Sequence, residues 1–296
     1  MSPRTGSKSS DSQVVEIDGR PVKLTNLDKV LYPATGFTKG QVLGYYARVA
    51  PVLLPHLADR PATFLRLPDG VEESGFFAKH APAHRPDWVR TAAVASTSSG
   101  KSVEYVVVDD LPTLMWAANS AAIEIHVPQW RVGDQKHHDL LVIDLDPGEP
   151  ATVLDCARLA LSARDLLKEH GLPLFAKTSG KKGLHLYAPL TGVTAEQARE
   201  LGRTIAVHLE NQHPESALSS MTKADRIGKV FVDWSQNTHA KTTVAPYSLR
   251  STPEPAASTP VTWEQLAAAR KPGDLRFTPE QTLEQVARYG DLMPGH

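Results

Sequence analysis

Hydrophobic residues along this chain follow two spacings, one typical of amphipathic helices and one typical of strands. In GFTKGQVLGYYARVAPVLLPHL, where Thr38 is placed as an N-cap, the helical spacing puts five residues on one face: Val42, Tyr45, Tyr46, Val49 and Leu53. The same spacing predicts helices in EPATVLDCARLALSARDLLKEHG, which Gly171 ends, and in TAEQARELGRTIAVHLENQ.

Shorter apolar runs predict strands between these helices. They include SVEYVVVDD, LLVIDLDPG and GKVFVDWSQN, while LPLFAKTSGKKGLHLYAPL predicts a hairpin and LPTLMWAANSAAIEI a helix that passes into a strand. STPEPAASTP is expected to be a surface linker before a short C-terminal helical segment. The alternation predicts an α/β or α+β fold.

We expect one domain over residues 14–296, with an N-terminal lobe of about residues 14–135 packed on a core of about 136–292. The Ser-rich residues 1–13 are predicted to be a disordered tail. At 296 residues and 41% apolar content, the chain can bury a substantial core. No run approaches a membrane span and the N-terminus lacks a signal-peptide pattern, so a cytoplasmic protein without membrane contact is predicted.

Composition narrows the chemistry. The single cysteine, Cys156, excludes an internal disulfide, lies in a predicted helix and receives no catalytic role. Net charge is −1, which argues against indiscriminate binding of polyanions. Residues 137–176 nevertheless hold seven acidic and three basic side chains, whereas residues 177–250 hold ten basic and six acidic ones. An enzyme that binds both metal ions and phosphate requires both acidic and basic side chains.

Two carboxylates interrupt the apolar stretch LLVIDLDPG. Strand alternation puts Asp144 and Asp146 on one face and Leu145 on the other, and Asp233 ends the apolar strand of KVFVDWS. Carboxylates about 4 Å apart repel by about 4 kcal/mol at an effective dielectric near 20, so a cation or a proton must lie between them. Divalent ions bind such oxygens, but a helix cap or a lysine pair would also account for a lone D-x-D.

A second cluster lies in SGKKGLHLY. Two glycines and two lysines form a turn whose amides are placed to face phosphate oxygens, followed by His185 and Tyr187 on one strand face. An ordinary hairpin with solvated lysines and a structural histidine is the competing interpretation. Further along, KTTVAPYSLR ends in Arg250, which is suited to neutralising phosphate, whereas Trp234 of DWSQN is assigned to the core.

With DLDPG, TSGKKGLHLY and KVFVDWSQN in this order, the sequence resembles the archaeo-eukaryotic primase superfamily, and specifically the bacterial ligase D polymerase domain of non-homologous end joining. The resemblance covers about residues 22–292 and includes LTNLDKVLYPATGFTKG, RPATFLRLPDGVEESGFFAKH, IEIHVPQWR and TTVAPYSLR. It implies a primase-polymerase fold, with a catalytic sheet related to the RNA-recognition module, flanked by helices and an N-terminal lobe.

The resemblance also implies template-directed nucleotidyl transfer with two divalent ions, Mn²⁺ or Mg²⁺, and a preference for ribonucleotides. By position, Asp144, Asp146 and Asp233 would bind metal. The residues that match nucleotide-binding positions are Ser179, Lys182 and His185, with Arg250 as a further phosphate ligand and His126 near the active site.

For DNA, the resemblance implies a site for the 5′-phosphate of a gap, nick or break. Lys29 and Lys39 match the lysines of that site, and Phe76 and Phe77 match aromatics that stack on template bases. The pattern alone would make these residues solvated lysines and core aromatics. Nucleoside triphosphates and such DNA are thus the expected partners of a bacterial, nucleoid-associated monomer, with Ku and a DNA ligase as candidate protein partners.

Three alternatives stay open. A metal-dependent nuclease could use the same carboxylates but needs no triphosphate site, so nucleotide-dependent thermal stabilisation would separate it from a polymerase. A non-catalytic end-binding module would use only the N-terminal lysines and aromatics. The sequence has its own Met1 and shows no ligase or nuclease domain, so a stand-alone primase or excision-repair gap filler competes with a domain of a larger ligase.

Overall fold

The computed structural model describes residues 12–95 and 102–294. The helices of these ranges are α1 (Lys39–Leu57), α2 (Leu111–Asn119), α3 (Val153–Glu169), α4 (Ala195–Gln212), α5 (Trp263–Ala268) and α6 (Pro279–Tyr289). Single 3-10 turns span Lys223–Arg226, Trp234–Gln236 and Pro272–Leu275. The strands are β1 (Ser12–Ile17), β2 (Arg20–Thr25), β3 (Val30–Tyr32), β4 (Phe37–Thr38), β5 (Pro61–Arg66), β6 (Phe76–Ala78), β7 (Thr91–Ala95), β8 (Ser102–Val107), β9 (Ala122–Val127), β10 (His137–Pro147), β11 (Phe175–Thr178), β12 (Leu184–Thr194), β13 (Ala217–Leu218), β14 (Val230–Asp233), β15 (Thr243–Val244), β16 (Leu249–Arg250), β17 (Ala256–Ala257) and β18 (Pro260–Val261).

The three helices predicted from periodicity are confirmed as α1, α3 and α4. Thr38 caps α1 by accepting a hydrogen bond from the backbone amide of Gln41, whose side chain bonds back to the amide of Thr38. Gly171 follows α3 with φ of 72°, a left-handed conformation that glycine adopts without steric cost.

One large sheet lies mainly in the N-terminal half of the chain. Its strand order is β15-β9-β5-β8-β7, and β6 pairs with β5. Helices α1 and α2 contribute apolar side chains to the core that this sheet shares. The hydroxyls of Tyr45 and Tyr46 donate to the carbonyls of Tyr247 and Ile123, so α1 is also tied by hydrogen bonds to β9 and to the segment between β15 and β16.

The second large sheet has the order β13-β14-β10-β12-β11-β18, and only the β13–β14 pair is parallel. Leu141, Ile143 and Leu145 of β10 point into a core built with α3 and α4. The alternate residues of β10, which include Asp144 and Asp146, lie on the opposite face. The sheet therefore has one apolar face and one face that carries charge, and the mixed α/β fold is as predicted.

Two sequence interpretations are corrected. STPEPAASTP is not a surface linker, because Ala256, Ala257, Ser258 and Thr259 are fully buried and β18 joins the second sheet. These strands are very short and show neither a helical nor an alternating pattern of apolar residues, so the sequence pattern did not predict them. The tail prediction also extends too far: Ser12 and Gln13 belong to β1, and residues 1–11 lie outside the described residues.

Pairing of β15 with β9 brings residues 243–244 back to the N-terminal sheet. A sequence boundary near residue 135 therefore does not separate the two sheets completely. Across residues 12–95 and 102–294, no helix has the length and apolar character needed to cross a membrane.

Candidate active site

Four ionisable side chains form a row across adjacent strands of the second sheet. In the antiparallel registers, Lys177 of β11 lies opposite His185 of β12, His185 opposite Asp144 of β10, and Asp144 opposite Asp233 of β14. We call these residues the cross-strand row. Because paired residues project to the same face, the register makes Asp144 and Asp233 neighbours, which the sequence pattern alone had left open.

Burial and like charge act together on Asp144. Burial and the neighbouring carboxylates of Asp233 and Asp146 together raise the pKa of Asp144 to about 7, against the opposing charges of Lys177 and Arg250. The imidazole Nε2 of His185 lies 3.5 Å from Asp144 Oδ1. Burial and the charges of Lys177 and Arg250 lower the pKa of His185, so this imidazole is neutral near pH 7.

The other two carboxylates are engaged by their own chain. Asp233 accepts hydrogen bonds from the Ser235 amide and hydroxyl at 2.8 and 2.5 Å, and from Gln236 Nε2 at 2.8 Å. Asp146 Oδ2 lies 3.8 Å from Arg226 Nη1. As these side chains stand, no set of three His, Cys, Asp or Glu donors in the described residues is close enough to hold a metal ion.

Donor chemistry and register still fit divalent ions at this face. Carboxylate oxygens are the ligands that Mg²⁺ and Mn²⁺ prefer, and the register places Asp144 opposite Asp233, with Asp146 two residues along the same strand. Coordination by all three would require Asp233 and Asp146 to exchange their present partners for the ions. The metal-binding role of the three aspartates therefore stays a prediction with supporting geometry.

The SGKKG turn is shaped by Ser179. Its hydroxyl accepts hydrogen bonds from the amides of Lys181 and Gly183 at 3.2 and 3.0 Å, so these two amides are not offered to phosphate as the turn stands. Gly180 has φ of 70°, and a Cβ there would lie 2.5 Å from Cγ of Arg250. Lys182 is exposed and its Nζ lies 3.5 Å from Glu149 Oε1. The turn thus approaches Arg250 closely, while Lys182 extends into solvent.

Glu124 organises the basic groups beside this turn. It ion-pairs with Arg250 Nη1 at 3.2 Å and Lys181 Nζ at 3.3 Å, and bonds His126 Nε2 at 2.9 Å. Burial raises the pKa of Glu124, but His126 and Arg250 outweigh burial and hold the pKa well below its usual range. In the described part of the chain, Nε of buried Arg250 has no hydrogen-bond partner, which leaves a donor for an anion.

Lys29 and Lys39 form a separate basic pair at the start of α1. The amide of Lys39 donates to the carbonyl of Lys29 at 2.8 Å, and Lys29 Nζ lies 2.9 Å from Asp69 Oδ1. Lys39 is only 5% exposed, and its Nζ donates to the carbonyl and hydroxyl of Thr25. Burial and the charge of Lys29 lower the pKa of Lys39 to about 8. Lys39 is therefore not a solvated lysine, as the sequence pattern alone would have made it.

Phe76 and Phe77 are 49% and 58% exposed, so they are not core aromatics. Arg66 lies over the ring of Phe76 at 5.4 Å, and Phe77 packs edge-on against His126 at 5.5 Å. His126 in turn bonds Glu124. Phe77 is thus linked through His126 and Glu124 to the basic groups beside the SGKKG turn.

Sequence reasoning missed several charged residues at this face. Lys177 is fully buried next to His185, and Lys241 donates to the Ser235 hydroxyl beside Asp233. A lysine inside the apolar stretch LPLFAKT was the same kind of anomaly as the aspartates of LLVIDLDPG, and it could have been found that way. No comparable signal marked Lys241 or Arg226.

Relatives of known sequence match most of the chain. LigD of Mycobacterium tuberculosis, a multifunctional non-homologous end joining DNA repair protein, is 46% identical over 281 residues, which are 92% of this chain and 36% of the relative. The bifunctional LigD of Bacillus subtilis is 30% identical over 91% of this chain and 43% of its own length. The chain therefore spans only about a third to two fifths of these relatives.

Known structures give the same result for the fold. The polymerase domain of Mycobacterium tuberculosis ligase D, solved in complex with DNA, superposes with a TM-score of 0.85 and 45% sequence identity, over 92% of this chain and 96% of that domain. A family model described as the LigD primase-polymerase domain matches residues 38–293, which include the cross-strand row, the SGKKG turn and the exposed phenylalanines. The chain is a member of the LigD primase-polymerase domain family.

Proposed function

We propose that this protein is a template-directed nucleotidyltransferase that adds nucleotides, preferentially ribonucleotides, to DNA 3′ ends at gaps or breaks that carry a 5′-phosphate. Its role is DNA repair by non-homologous end joining. The observation that carries the proposal is the cross-strand row, in which Asp144 lies between His185 and Asp233 and feels the charge of Arg250, whose Nε has no hydrogen-bond partner among the described residues. Carboxylates for metal and cations for phosphate are what phosphoryl transfer requires.

In the reaction, a primer 3′-hydroxyl attacks the α-phosphate of the bound nucleotide and pyrophosphate leaves. Asp144, Asp146 and Asp233 hold the metal site, on the charged face of the sheet. When bound there, two divalent ions, Mn²⁺ or Mg²⁺, supply Lewis-acid activation of the hydroxyl and charge neutralisation of the phosphates. The remaining triphosphate ligands are Ser179, Lys182, His185 and Arg250, with His126 beside them.

DNA is held on the N-terminal side of this face. Phe76 and Phe77 present exposed rings on which template bases stack, and any base suits such a contact because each has a π-face. Lys29 and Lys39 bind the downstream 5′-phosphate. The hydroxyl of Tyr32, which lies in β3 three residues after Lys29, donates to the carbonyl of Arg250 at 3.0 Å, which connects the two regions. Ku and a DNA ligase are the protein partners that this role implies.

The first prediction tests the polymerase directly. Manganese-dependent extension of a gapped DNA with a downstream 5′-phosphate is measured with ribonucleotides and with deoxyribonucleotides. We expect extension with both and a higher rate with ribonucleotides. Asp144→Ala removes a central carboxylate and should lower the rate by about 10²- to 10³-fold or more. Asp165→Ala, at an exposed position of α3, is the matched control and should retain the wild-type rate.

Circular dichroism and thermal melting of both variants separate lost chemistry from lost folding. Substantial extension by folded Asp144→Ala would refute the assignment of the site. Manganese-dependent cleavage of DNA without nucleotide consumption would instead indicate the nuclease, and tight binding of the phosphorylated gap without extension would indicate the end-binding module.

A further inference from the structure

Lys177 is the one member of the cross-strand row that the proposed reaction does not use. Its side chain is 0% exposed, so it cannot touch a nucleotide in the site as the chain stands. Its Nζ lies 3.1 Å from Nδ1 of His185 and 2.6 Å from the hydroxyl of Ser258. A buried lysine is rare unless its hydrogen bonds are satisfied, and these two contacts satisfy it.

The direction of these hydrogen bonds is fixed by Ser258. The Ser258 hydroxyl lies 2.8 Å from the carbonyl of Thr178, which can only accept, so its single proton is committed there. Ser258 must then accept from Lys177. Nδ1 of His185 lies within reach of a second Lys177 proton, and as an ammonium group Lys177 can donate to it but not accept from it.

The other nitrogen of His185 gives the same answer independently. Nε2 faces Asp144 Oδ1 at 3.5 Å, and Asp144 accepts in its ionised form. A neutral imidazole carries one proton, and only the tautomer with that proton on Nε2 suits both a donor at Nδ1 and an acceptor at Nε2. The chain of contacts therefore runs in one direction, from Lys177 through His185 toward Asp144.

We infer that Lys177 is a positioning residue: anchored by Ser258, it donates to Nδ1 of His185 and keeps the imidazole proton on Nε2, at the face where the triphosphate binds. A fixed Nε2–H is a ready donor to a phosphate oxygen, whereas the opposite tautomer would present a lone pair to an anion. The tautomer itself follows from these contacts when Lys177 is protonated and Asp144 is ionised, and only its use toward a triphosphate rests on the proposed function.

The second prediction is read by nitrogen-15 NMR of histidine-labelled protein, in which the shifts of Nδ1 and Nε2 report which nitrogen carries the proton. A spectrum of His185→Gln identifies the His185 signals. We expect the proton on Nε2 in the wild type and a substantial Nδ1-protonated population in Lys177→Met and in Ser258→Ala. Lys168→Met, at an exposed position of α3, is the matched control and should leave the His185 signals unchanged.

Kinetics give the second readout. Loss of such an outer hydrogen-bond partner should lower kcat/KM for the nucleotide by about 10- to 100-fold in Lys177→Met, and Lys177→Gln, which keeps a neutral donor, should recover part of it. If Lys177→Met fails to fold, the wild-type tautomer and Ser258→Ala decide. A proton on Nδ1 in the wild type, or wild-type signals in both variants, overturns the inference. A tautomer change in a protein without extension activity would overturn the proposed function instead.

Discussion

At the scale of single residues, Lys39 is buried and lies near the positive charge of Lys29. Its titration therefore tests the proposed 5′-phosphate site. A lysine with a pKa of about 8 is mostly protonated at pH 7 and mostly neutral at pH 9. A phosphate dianion binds the protonated form, so affinity for it must fall as the pH rises through that value. A solvated lysine near pKa 10.4 would show no such change over this range.

The third prediction follows from this titration. We expect the preference for a gapped DNA with a 5′-phosphate over one with a 5′-hydroxyl to weaken between pH 7 and pH 9, measured by fluorescence anisotropy at constant ionic strength. Lys39→Met should remove both the preference and its pH dependence. Lys168→Met should keep both. A preference that is equally strong at the two pH values would contradict a role for Lys39 in binding phosphate.

A site residue could be predicted from the sequence only where its type is unusual for its local pattern. Asp144, Asp146 and Asp233 stand out because a charge at the end of an apolar strand is unusual, and the strand period fixes which face they share. Lys39 and the phenylalanines carry no such mark, since burial of a lysine and exposure of a ring are decided by distant parts of the chain. Only the family resemblance identified them.

At the scale of elements, the pairing of β10 with β12 holds the aspartates in register with His185, and Gly183, just before β12, lies close against β10. A Cβ at Gly183 would lie 2.0 Å from the carbonyl oxygen of Leu145. The strands must therefore separate locally if any larger residue takes this position. Gly44 in α1 is the opposite case, because it is exposed within a helix and a Cβ there meets nothing within 4 Å.

The fourth prediction compares these two glycines. Gly183→Ala should destabilise the protein by about 1–3 kcal/mol, as overpacking does, and should also lower extension because Asp144 moves with its strand. Gly44→Ala should stabilise the protein by about 0.5–1 kcal/mol through helix propensity, with extension unchanged. Urea unfolding measures both. Wild-type stability and extension in Gly183→Ala would contradict the close approach.

Helices with a strong period and a cap were predictable, whereas very short strands were not. Thr38 marks the start of α1 and Gly171 the end of α3, and both signals are local and can be read from the sequence. Strands β17 and β18 have two residues each; β17 pairs with the equally short β16, and β18 pairs with β11, a partner distant in sequence. Local sequence holds no record of such partners, which is why Ser258 was placed on the surface.

At the scale of the whole molecule, Asp139 joins the N-terminal part of the chain to β10. Its Oδ2 accepts from Arg60 Nη2 at 2.6 Å and from Arg131 Nε at 2.8 Å. Arg60 is fully buried and also donates to the carbonyl of Pro128 at 3.1 Å. Burial raises the pKa of Asp139, but the two arginines outweigh burial and leave the pKa below its usual range.

The fifth prediction concerns this ion pair. Asp139→Asn leaves a buried guanidinium without its counter-charge and should cost about 3 kcal/mol of the free energy of unfolding at pH 7. Because the folded-state pKa of Asp139 is lowered, its contribution is present above the unfolded value and is lost as the pH falls. The difference from wild type should therefore shrink in acid. Asp165→Asn, exposed on α3, should match wild type throughout, and an equal effect of both variants would contradict the prediction.

A related chain keeps the cross-strand row only if the number of residues between the positions on each strand stays odd or even as it is here. Its four members come from four strands, so they meet only while each strand keeps its register. Deleting one residue from the stretch 140–143 would turn either the aspartates or the apolar residues of β10 to the wrong face, although every motif letter would survive. A search for the motif residues would find all of them in such a chain. Its inactivity would show only in whether the number of strand residues before the motif is odd or even.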